Sequence, residues 1–240
     1  METSTIRSGG IQYVKNFLDP KMALKEFGVL SFLFGKGISV PKPNFLNANN
    51  TSFAMQYIQG EKISGTEDEL EPILKTMAKY HSIGAKDIKK YLKWFLPSYL
   101  DEGKLYSNKL GLNGNFKKMY KKMYDLSDCL VHNDLMDKNL MNDGKNIYFI
   151  DWGSAIYGMP QTDLVRIITT FGKLDTPYEE TIKQKYNELN PTKNFEEKYS
   201  LAKDFQEIKL VAKAMDFATS PENKKEVQKS IELIREKLKC

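Results

Sequence analysis

The sequence predicts an α+β protein in which a small β-rich part precedes a larger, mainly helical part. Before residue 60, apolar and polar residues alternate in short runs, the period of two that is typical of half-buried strands. After residue 60, apolar residues recur at spacings of three and four, which indicates amphipathic helices. The glycine-containing segment 59–61 separates the two patterns and is interpreted as a linker. With 240 residues, the chain is long enough for one large domain or two small lobes.

Three strands and one helix are predicted in the N-terminal part. The alternating run 11–17 predicts the first of these strands. Asp19 and Pro20 then supply an N-cap and a first-turn proline for a helix that ends at the glycines near residue 36. Strands at 44–48 and 52–58 follow, joined by a turn at an asparagine pair. The apolar face expected for the helix consists of Leu24, Phe27, Leu30 and Phe34.

The C-terminal part is predicted to be a helix bundle interrupted by a short β insert. Helical spacing is clear in 73–81 and in 116–123, and Ser220 followed by proline predicts the start of the last helix. Two short apolar runs, 129–131 and 147–150, surround an Asn-Asp-Gly turn signal. We therefore expect these two runs to form the β insert around that turn.

Composition excludes several classes of protein. With 41% hydrophobic and 28% charged residues, the chain is neither disordered nor fibrous. No apolar run approaches the ~20 residues of a membrane span, and the first ten residues lack an export signal, so we expect a cytoplasmic protein with no membrane partner. The two cysteines and two histidines are too few and too scattered for a zinc site.

The positive charge of +5 comes almost entirely from lysine, since the chain has only three arginines. Proteins that read nucleic-acid bases favour the arginine fork, which argues against nucleic acid as a partner. Between residues 86 and 122, ten lysines face three acidic residues. A solvated helical face is the more common origin of such a stretch, and an anionic partner or substrate is the alternative.

The segment 130–153 contains the residues that carry chemistry. It has the pattern His132-x-Asp134-x4-Asn139, then a turn signal, then an apolar run that ends at Asp151. Amide and carboxylate oxygens, such as those of Asn139 and Asp151, are ligands that suit Mg²⁺. Phosphoryl transfer needs such a metal site and a carboxylate beside the attacking hydroxyl, which we assign to Asp134 as base or orienting group.

This pattern resembles the catalytic loop of the protein-kinase-like superfamily, in the branch of aminoglycoside phosphotransferases and choline/ethanolamine kinases. Ile-Asp-Trp at 150–152 resembles the metal-binding run of that branch, and Gly-x-Pro-x-x-Asp-Leu at 158–164 resembles the segment that follows it. Lys15 and Glu26 resemble the strand lysine and its helical glutamate partner. The segment 53–61 resembles the hinge between the lobes.

The resemblance implies a bilobal protein-kinase-like fold with ATP and Mg²⁺ as cofactors. It implies that Lys15 binds the nucleotide phosphates and that Glu26 fixes Lys15. In the hinge it places Met55 behind the adenine, with the backbone of Gln56 and Ile58 at the adenine edge. It also implies that His132 braces the catalytic loop and that Asp163 ties this loop down. The metal ligands would be Asn139 and Asp151, with Asp134 on the acceptor side.

The resemblance divides the chain into a reduced, truncated β-rich nucleotide lobe at 1–60 and a helical lobe with the catalytic loop and acceptor site at 61–240. Only fourteen residues precede Lys15, so we expect the first strand and most of the phosphate-covering loop to be absent or very short. Gly9 and Gly10 fall where the turn into the lysine strand belongs. Tyr13, on the same strand face as Lys15, is bulkier than the residue usually placed against adenine.

The expected activity is transfer of the γ-phosphoryl group of ATP to a hydroxyl of a small molecule: an amino alcohol such as choline or ethanolamine, a sugar or an aminoglycoside. An ammonium-bearing acceptor would need an aromatic or acidic cage, although aromatic residues in helices are more often core. The cage candidates are Trp94, Phe95, Tyr99, Tyr106, Tyr120 and Tyr124.

Two alternatives stay open. A catalytically impaired pseudokinase that binds nucleotide is favoured by the short N-terminal part. A protein-kinase-like regulator is favoured by the lysine stretch at 86–122, but the chain lacks the Asp-Phe-Gly and Ala-Pro-Glu runs of an activation segment. The sequence predicts no oligomeric state.

Overall fold

A computed structural model describes residues 4–7, 12–92, 96–112, 114–172 and 176–238. The N-terminal region contains a four-stranded antiparallel sheet with strand order β1-β2-β4-β3 and one long helix packed on it. Its elements are β1 (Ser4–Arg7), β2 (Gln12–Asn16), α1 (Pro20–Gly35), β3 (Pro43–Leu46) and β4 (Ser52–Gln56).

The first strand is present, although it is short. β1 pairs with β2 in a register that places Ser4 opposite Lys15. The sequence predicted that this strand is absent or very short, and the structure has a strand of four residues. The turn expected at Gly9 and Gly10 lies outside the described residues.

The start of α1 is as predicted, but its buried face is not. The Asp19 side chain accepts a hydrogen bond from the Lys21 N–H at 2.9 Å, and Pro20 occupies the first turn. Phe34, predicted to be inward, is 43% exposed. The buried face includes the charged residues Lys25 and Glu26, so a pattern built from apolar residues alone misplaces it.

The rest of the chain is mainly helical, with short strands between the helices. The predicted inward faces at 73–81 and 116–123 are buried, which confirms both helices. No helix among the described residues is long and apolar enough to cross a lipid bilayer. The helices are α2 (Glu67–His81), α3 (Ala85–Leu92), α4 (Tyr99–Leu110), α5 (Gly114–Asp125), α6 (Gln161–Phe171), α7 (Thr176–Leu189), α8 (Phe195–Phe217) and α9 (Pro221–Lys237). The strands are β5 (Glu61–Lys62), β6 (Cys129–Val131), β7 (Leu140–Asn142), β8 (Ile147–Phe149) and β9 (Ile156–Gly158).

Strand pairing in the β insert differs from the prediction. The turn at 142–144 joins β7 to β8, and β5 extends this hairpin to three strands. β6 pairs instead with β9, which lies beyond Asp151. Two apolar runs on either side of a turn signal therefore need not pair, because β7 is a further strand adjoining that turn. Gly60 is required beside this hairpin, since a Cβ at that position would lie 2.3 Å from the Asn142 carbonyl oxygen.

Apolar side chains form two cores. The first contains residues of α1 and the N-terminal sheet together with residues of α2, β7, β8, α6 and α7. The second is formed mainly by α4, α5, α8 and α9. A backbone hydrogen bond of 2.9 Å from the Phe149 N–H to the Ser39 carbonyl oxygen further joins β8 to the segment after α1.

The buried carboxylate of Asp163, in the first turn of α6, ties the loop after β6 to the helices. Its Oδ2 accepts hydrogen bonds from the Tyr80 hydroxyl at 2.6 Å and from the His132 N–H at 2.8 Å, and His81 Nε2 lies 3.2 Å away. Its Oδ1 accepts from the Asn133 N–H at 2.8 Å. Burial raises the pKa of Asp163, but the two histidines and Tyr80 outweigh burial and lower this pKa below its ordinary value.

We predict that Asp163→Asn lowers the free energy of unfolding by about 2–4 kcal/mol. The asparagine NH₂ group would take the place of a carboxylate oxygen that accepts hydrogen bonds, so a donor would face donors. Urea denaturation at pH 7 measures the effect. Asp125→Asn is the matched control, since Asp125 is an exposed carboxylate paired with Lys121 and surface pairs contribute little. An equal, small loss in both variants would contradict the role of Asp163.

The stabilisation by Asp163 is also expected to depend on pH. Its pKa in the folded chain lies below the ordinary 3.8, so its contribution is complete above about pH 4 and is lost as the pH falls through the folded-state value. The difference in urea midpoint between wild type and Asp163→Asn should therefore narrow below pH 4. A difference that stays constant from pH 7 to pH 3 would count against this linkage.

Candidate active site

Lys15 lies between two carboxylates at the junction of the sheet and the β insert. Its Nζ is 2.8 Å from Glu26 Oε2 and 2.7 Å from Asp151 Oδ1. Burial lowers the pKa of Lys15, but the two carboxylates outweigh burial and raise this pKa above its ordinary value. Burial raises the pKa of Asp151, and the nearby Lys15 more than reverses that effect. Lys15 and Asp151 are therefore charged at neutral pH.

The backbone at Asp151 is held in an uncommon conformation. Its φ of 60° lies in the left-handed region, which aspartate tolerates better than most residues. On one side, His132 Nε2 is 2.8 Å from the Ile150 carbonyl oxygen. On the other, the Trp152 indole packs 4.5 Å from the His132 ring and donates to the Phe149 carbonyl at 3.0 Å. His132 thus has the bracing role that the resemblance implies.

Gly153 lies close to Glu26 and Asp151. A Cβ at Gly153 would lie 3.2 Å from Glu26 Oε2 and 3.7 Å from Asp151 Oδ1. Lys25 Nζ donates to the Gly153 carbonyl at 2.7 Å, and this hydrogen bond attaches α1 to the segment that follows Asp151. Burial lowers the pKa of Lys25 to about 8.

Asn139 connects the loop after β6 to the residue that precedes Asp151. Its side-chain Nδ2 donates to the Asp134 backbone carbonyl at 2.7 Å, and its backbone carbonyl oxygen accepts from the Ile150 N–H at 3.0 Å. The Asn139 Oδ1 accepts no hydrogen bond within the part of the chain that is described. This amide oxygen and the Asp151 carboxylate are hard oxygen donors of the kind that Mg²⁺ prefers. Among the described residues no three His, Cys, Asp or Glu side chains converge, so an ion here needs phosphate or water ligands as well.

A cavity of about 310 Å³ opens between the sheet, α1 and the β insert. Its lining includes the charged residues Lys15 and Asp151 and the apolar residues Met55 and Ile58. The Gln56 N–H is committed to the Lys42 carbonyl at 2.8 Å. All predicted nucleotide and metal residues line this cavity: Lys15, Glu26, Met55, Gln56, Ile58, Asn139 and Asp151.

Further lining residues were not predicted as part of the site. Met141 and Ile150 add to its apolar surface, while Lys138 adds a positive charge. Met141 lies in β7, just after Asn139 in the chain. Tyr13 lines the cavity with Lys15, as their shared strand face predicts.

Asp134 does not line this cavity, and cations surround its carboxylate. Lys213 Nζ lies 3.2 Å and Arg166 Nη2 3.5 Å from Oδ1, and Lys138 Nζ lies 3.5 Å from Oδ2. Burial raises the pKa of Asp134, but Lys213, Lys209 and Lys138 outweigh burial and lower this pKa to about 2. The carboxylate is therefore ionised throughout the neutral range.

The cations that α6 and α8 place near Asp134 were not predicted from the sequence. Lys209 Nζ donates to the Asn133 carbonyl at 2.6 Å, and burial lowers the pKa of Lys209 to about 8. The Asn133 side chain, beside a backbone φ of 66°, donates to Glu102 Oε1 at 2.9 Å. A lysine within a helix carries no spacing signal. Arg166 carried such a signal, since the chain has only three arginines and Arg166 follows Asp163 by three residues.

Three of the candidate residues for an aromatic cage lie in the second core, and Tyr124 is 41% exposed. Tyr99 and Tyr120 pack against Phe205 with ring centroids 5.0 and 5.8 Å apart, inside the second core, and Tyr106 is buried there too. These tyrosines are core, the alternative that their helical spacing also allowed. Trp94 and Phe95 lie outside the described residues.

Comparisons with known proteins agree with this geometry. The model of the phosphotransferase enzyme family matches residues 18–195. No curated protein sequence matches this chain significantly. Among solved structures, choline kinase LicA from Streptococcus pneumoniae is 16% identical with a TM-score of 0.65, over 96% of this chain and 89% of that one.

Two further solved structures show the same fold. The ADP-bound aminoglycoside phosphotransferase APH(2'')-Ib is 16% identical with a TM-score of 0.66, over 96% of this chain and 92% of that one. The macrolide 2'-phosphotransferase MphH from Brachybacterium faecium is 12% identical with a TM-score of 0.63, over 96% of this chain and 88% of that one. The bilobal protein-kinase-like fold predicted from the sequence is confirmed by these matches. Because the family match spans well over half of the sequence, this chain belongs to the phosphotransferase enzyme family.

Proposed function

We propose that this protein transfers the γ-phosphoryl group of ATP to a hydroxyl of a small molecule. The observation that carries the proposal is the shared cavity of Lys15, Asn139 and Asp151, joined to the Asp134 loop by the Asn139 hydrogen bond. Nucleotide use is supported by solved relatives that are complexes with ATP, ADP, AMP or GDP. The division into a nucleotide lobe at 1–60 and an acceptor lobe at 61–240 is part of this proposal.

In the proposed reaction, the acceptor hydroxyl oxygen attacks the γ-phosphorus. The bond from this phosphorus to the β,γ-bridging oxygen breaks, and ADP leaves with the electron pair. The hydroxyl proton passes to the Asp134 carboxylate and from there to solvent. With its pKa near 2, Asp134 is a weak base, so it acts mainly by orienting the hydroxyl and receives the proton late.

The remaining residues position the nucleotide. Lys15 binds the α- and β-phosphates, and Glu26 holds Lys15 in place. Met55 lies against the adenine, and backbone groups of Gln56 and Ile58 bind its edge. Asn139 and Asp151 would hold Mg²⁺, which when bound neutralises charge on the phosphates.

The acceptor panel for a first assay follows from the relatives. A choline kinase and several aminoglycoside phosphotransferases share the fold, so amino alcohols, sugars and aminoglycosides are the natural first members. Release of ADP in the presence of each compound, with detection of the phosphorylated product, tests the proposed function.

Asp134→Asn is expected to lower kcat by about 1,000-fold, because the hydroxyl loses the carboxylate that orients it and takes its proton. ATP binding should persist, since Asp134 lies outside the nucleotide cavity. Steady-state kinetics at saturating ATP and calorimetry with ATP measure the two effects. Asp137→Asn is the matched control, an exposed carboxylate on the same loop. Undiminished transfer by Asp134→Asn would refute the assignment.

Asp151→Asn is expected to abolish the metal-dependent part of nucleotide binding. In wild type, ATP should raise the melting temperature more with Mg²⁺ than with a chelator, because Asp151 provides the carboxylate for the ion. In the variant the two shifts should coincide, while the Lys15–Glu26 pair remains. Thermal denaturation of wild type and variant, each with ATP plus Mg²⁺ and with ATP plus a chelator, measures this difference. If Mg²⁺ enhances the shift equally in both proteins, Asp151 is not a metal ligand.

A further inference from the structure

Four cations surround the carboxylate of Asp134, and together we name them the cationic cluster: Lys138, Arg166, Lys209 and Lys213. Three of them approach Asp134 within 3.5 Å, and Lys209 contacts the adjoining Asn133 carbonyl at 2.6 Å. In the proposed reaction the acceptor must place its hydroxyl at Asp134. Any other group of the acceptor near that hydroxyl therefore lies close to these cations.

In its immediate surroundings Asp134 is outnumbered, since three cations lie within 3.5 Å of its one carboxylate. Other carboxylates also act on these cations: Asp163 on Arg166, Asp151 on Lys138 and Glu102 on Lys209. An ammonium group placed beside Asp134 would meet the like charges of Lys213 and Arg166. Like charges so placed oppose binding, which disfavours choline and aminoglycosides as acceptors.

Part of the cluster is rigid and part is adaptable. Arg166 and Lys209 are each only 4% exposed, so their charges are fixed by packing. The side chains of Lys138 and Lys213 are 51% and 45% exposed and are free to turn toward a bound anion. This combination of fixed and adaptable cations is suited to an acidic group beside the reacting hydroxyl.

Buried polar atoms around the cluster lack partners within the described part of the chain. Arg166 Nε donates no hydrogen bond, and Glu102 Oε2 accepts none. Both atoms are shielded from solvent, so a bound molecule would instead reach the partly exposed amino groups of Lys138 and Lys213. There an acidic group would accept from the two lysines, and a hydroxyl group would donate to Asp134. A hydroxylated anion offers both kinds of group.

We propose that the acceptor is an anionic hydroxyl compound that carries a phosphate or carboxylate group near the hydroxyl that is phosphorylated. The inference rests on the function proposed above. The product is then a phosphate ester of that anion, formed as ADP leaves, and the acidic group itself takes no part in bond making.

The test is phosphoryl transfer from Mg·ATP by the full chain to acceptors that share a carbon skeleton. One set is glycerol, glycerate and glycerol 3-phosphate, and another is glucose, gluconate and glucose 6-phosphate. Choline, ethanolamine and kanamycin form the cationic set. We expect kcat/KM for at least one anion to exceed that of its neutral parent by about tenfold or more, with the cationic set lowest. The phosphate and carboxylate members show which anion is preferred.

A pair of variants isolates the cluster. Lys213→Met should raise the KM of the preferred anion about tenfold and reduce its advantage over the neutral parent, because one charged hydrogen bond is lost. Lys203→Met is the matched control, an exposed lysine on the same helix that pairs with Glu179 instead. It should leave the preference unchanged. Melting temperatures of both variants verify that the chain is folded.

The outcomes separate the two proposals. Preference for a neutral or cationic acceptor, or equal use of anion and parent, overturns the acceptor inference and leaves the proposed function standing. Hydrolysis of ATP without transfer to any anion overturns the acceptor inference alone. If ATP is turned over neither with any acceptor nor with water, the proposed function itself is wrong.

Discussion

The arrangement of the candidate site depends on one buried carboxylate, that of Asp163. It accepts hydrogen bonds from two successive backbone N–H groups of the loop after β6 and from Tyr80 of α2. Buried backbone donors of this kind need partners, so Asp163 stabilises the conformation of the loop. The same loop contains the left-handed backbone of Asn133 and the Asp134 carbonyl that accepts from Asn139.

The two sides of the site have opposite charge arrangements. In the cavity, Lys15 lies between two carboxylates, whereas outside the cavity the carboxylate of Asp134 lies among several cations. Each arrangement keeps its central group ionised despite burial, as the shifted pKa values of Lys15 and Asp134 show. The same fold thus supports carboxylates at the cavity that would hold a metal and cations where the acceptor would bind.

Residues close together in the chain could be predicted well from the sequence. The loop at 132–139, Asp151, and the Lys15–Glu26 spacing are local patterns, and the motif spacing was enough to identify them. Non-local features could not be predicted in the same way. The partner of β6 depends on a strand beyond Asp151, and the buried face of α1 includes charged residues whose partners lie elsewhere. Lys209 and Lys213 reach the site from a distant helix, whereas none of the described lysines between residues 86 and 122 forms an ion pair with Asp134.

The first core also has a consequence for cooperativity. It contains Val29 and Phe53 from the N-terminal region together with Ile73, Phe149 and Trp152 from the rest of the chain. Neither set can bury its apolar surface without the other, so the four-stranded sheet has no separate core on which to fold alone. A molecule bound in the cavity beside the sheet therefore stabilises the helices as well, because loosening either region exposes the same shared core. Occupancy of the cavity is in this way linked thermodynamically to the order of the helical region.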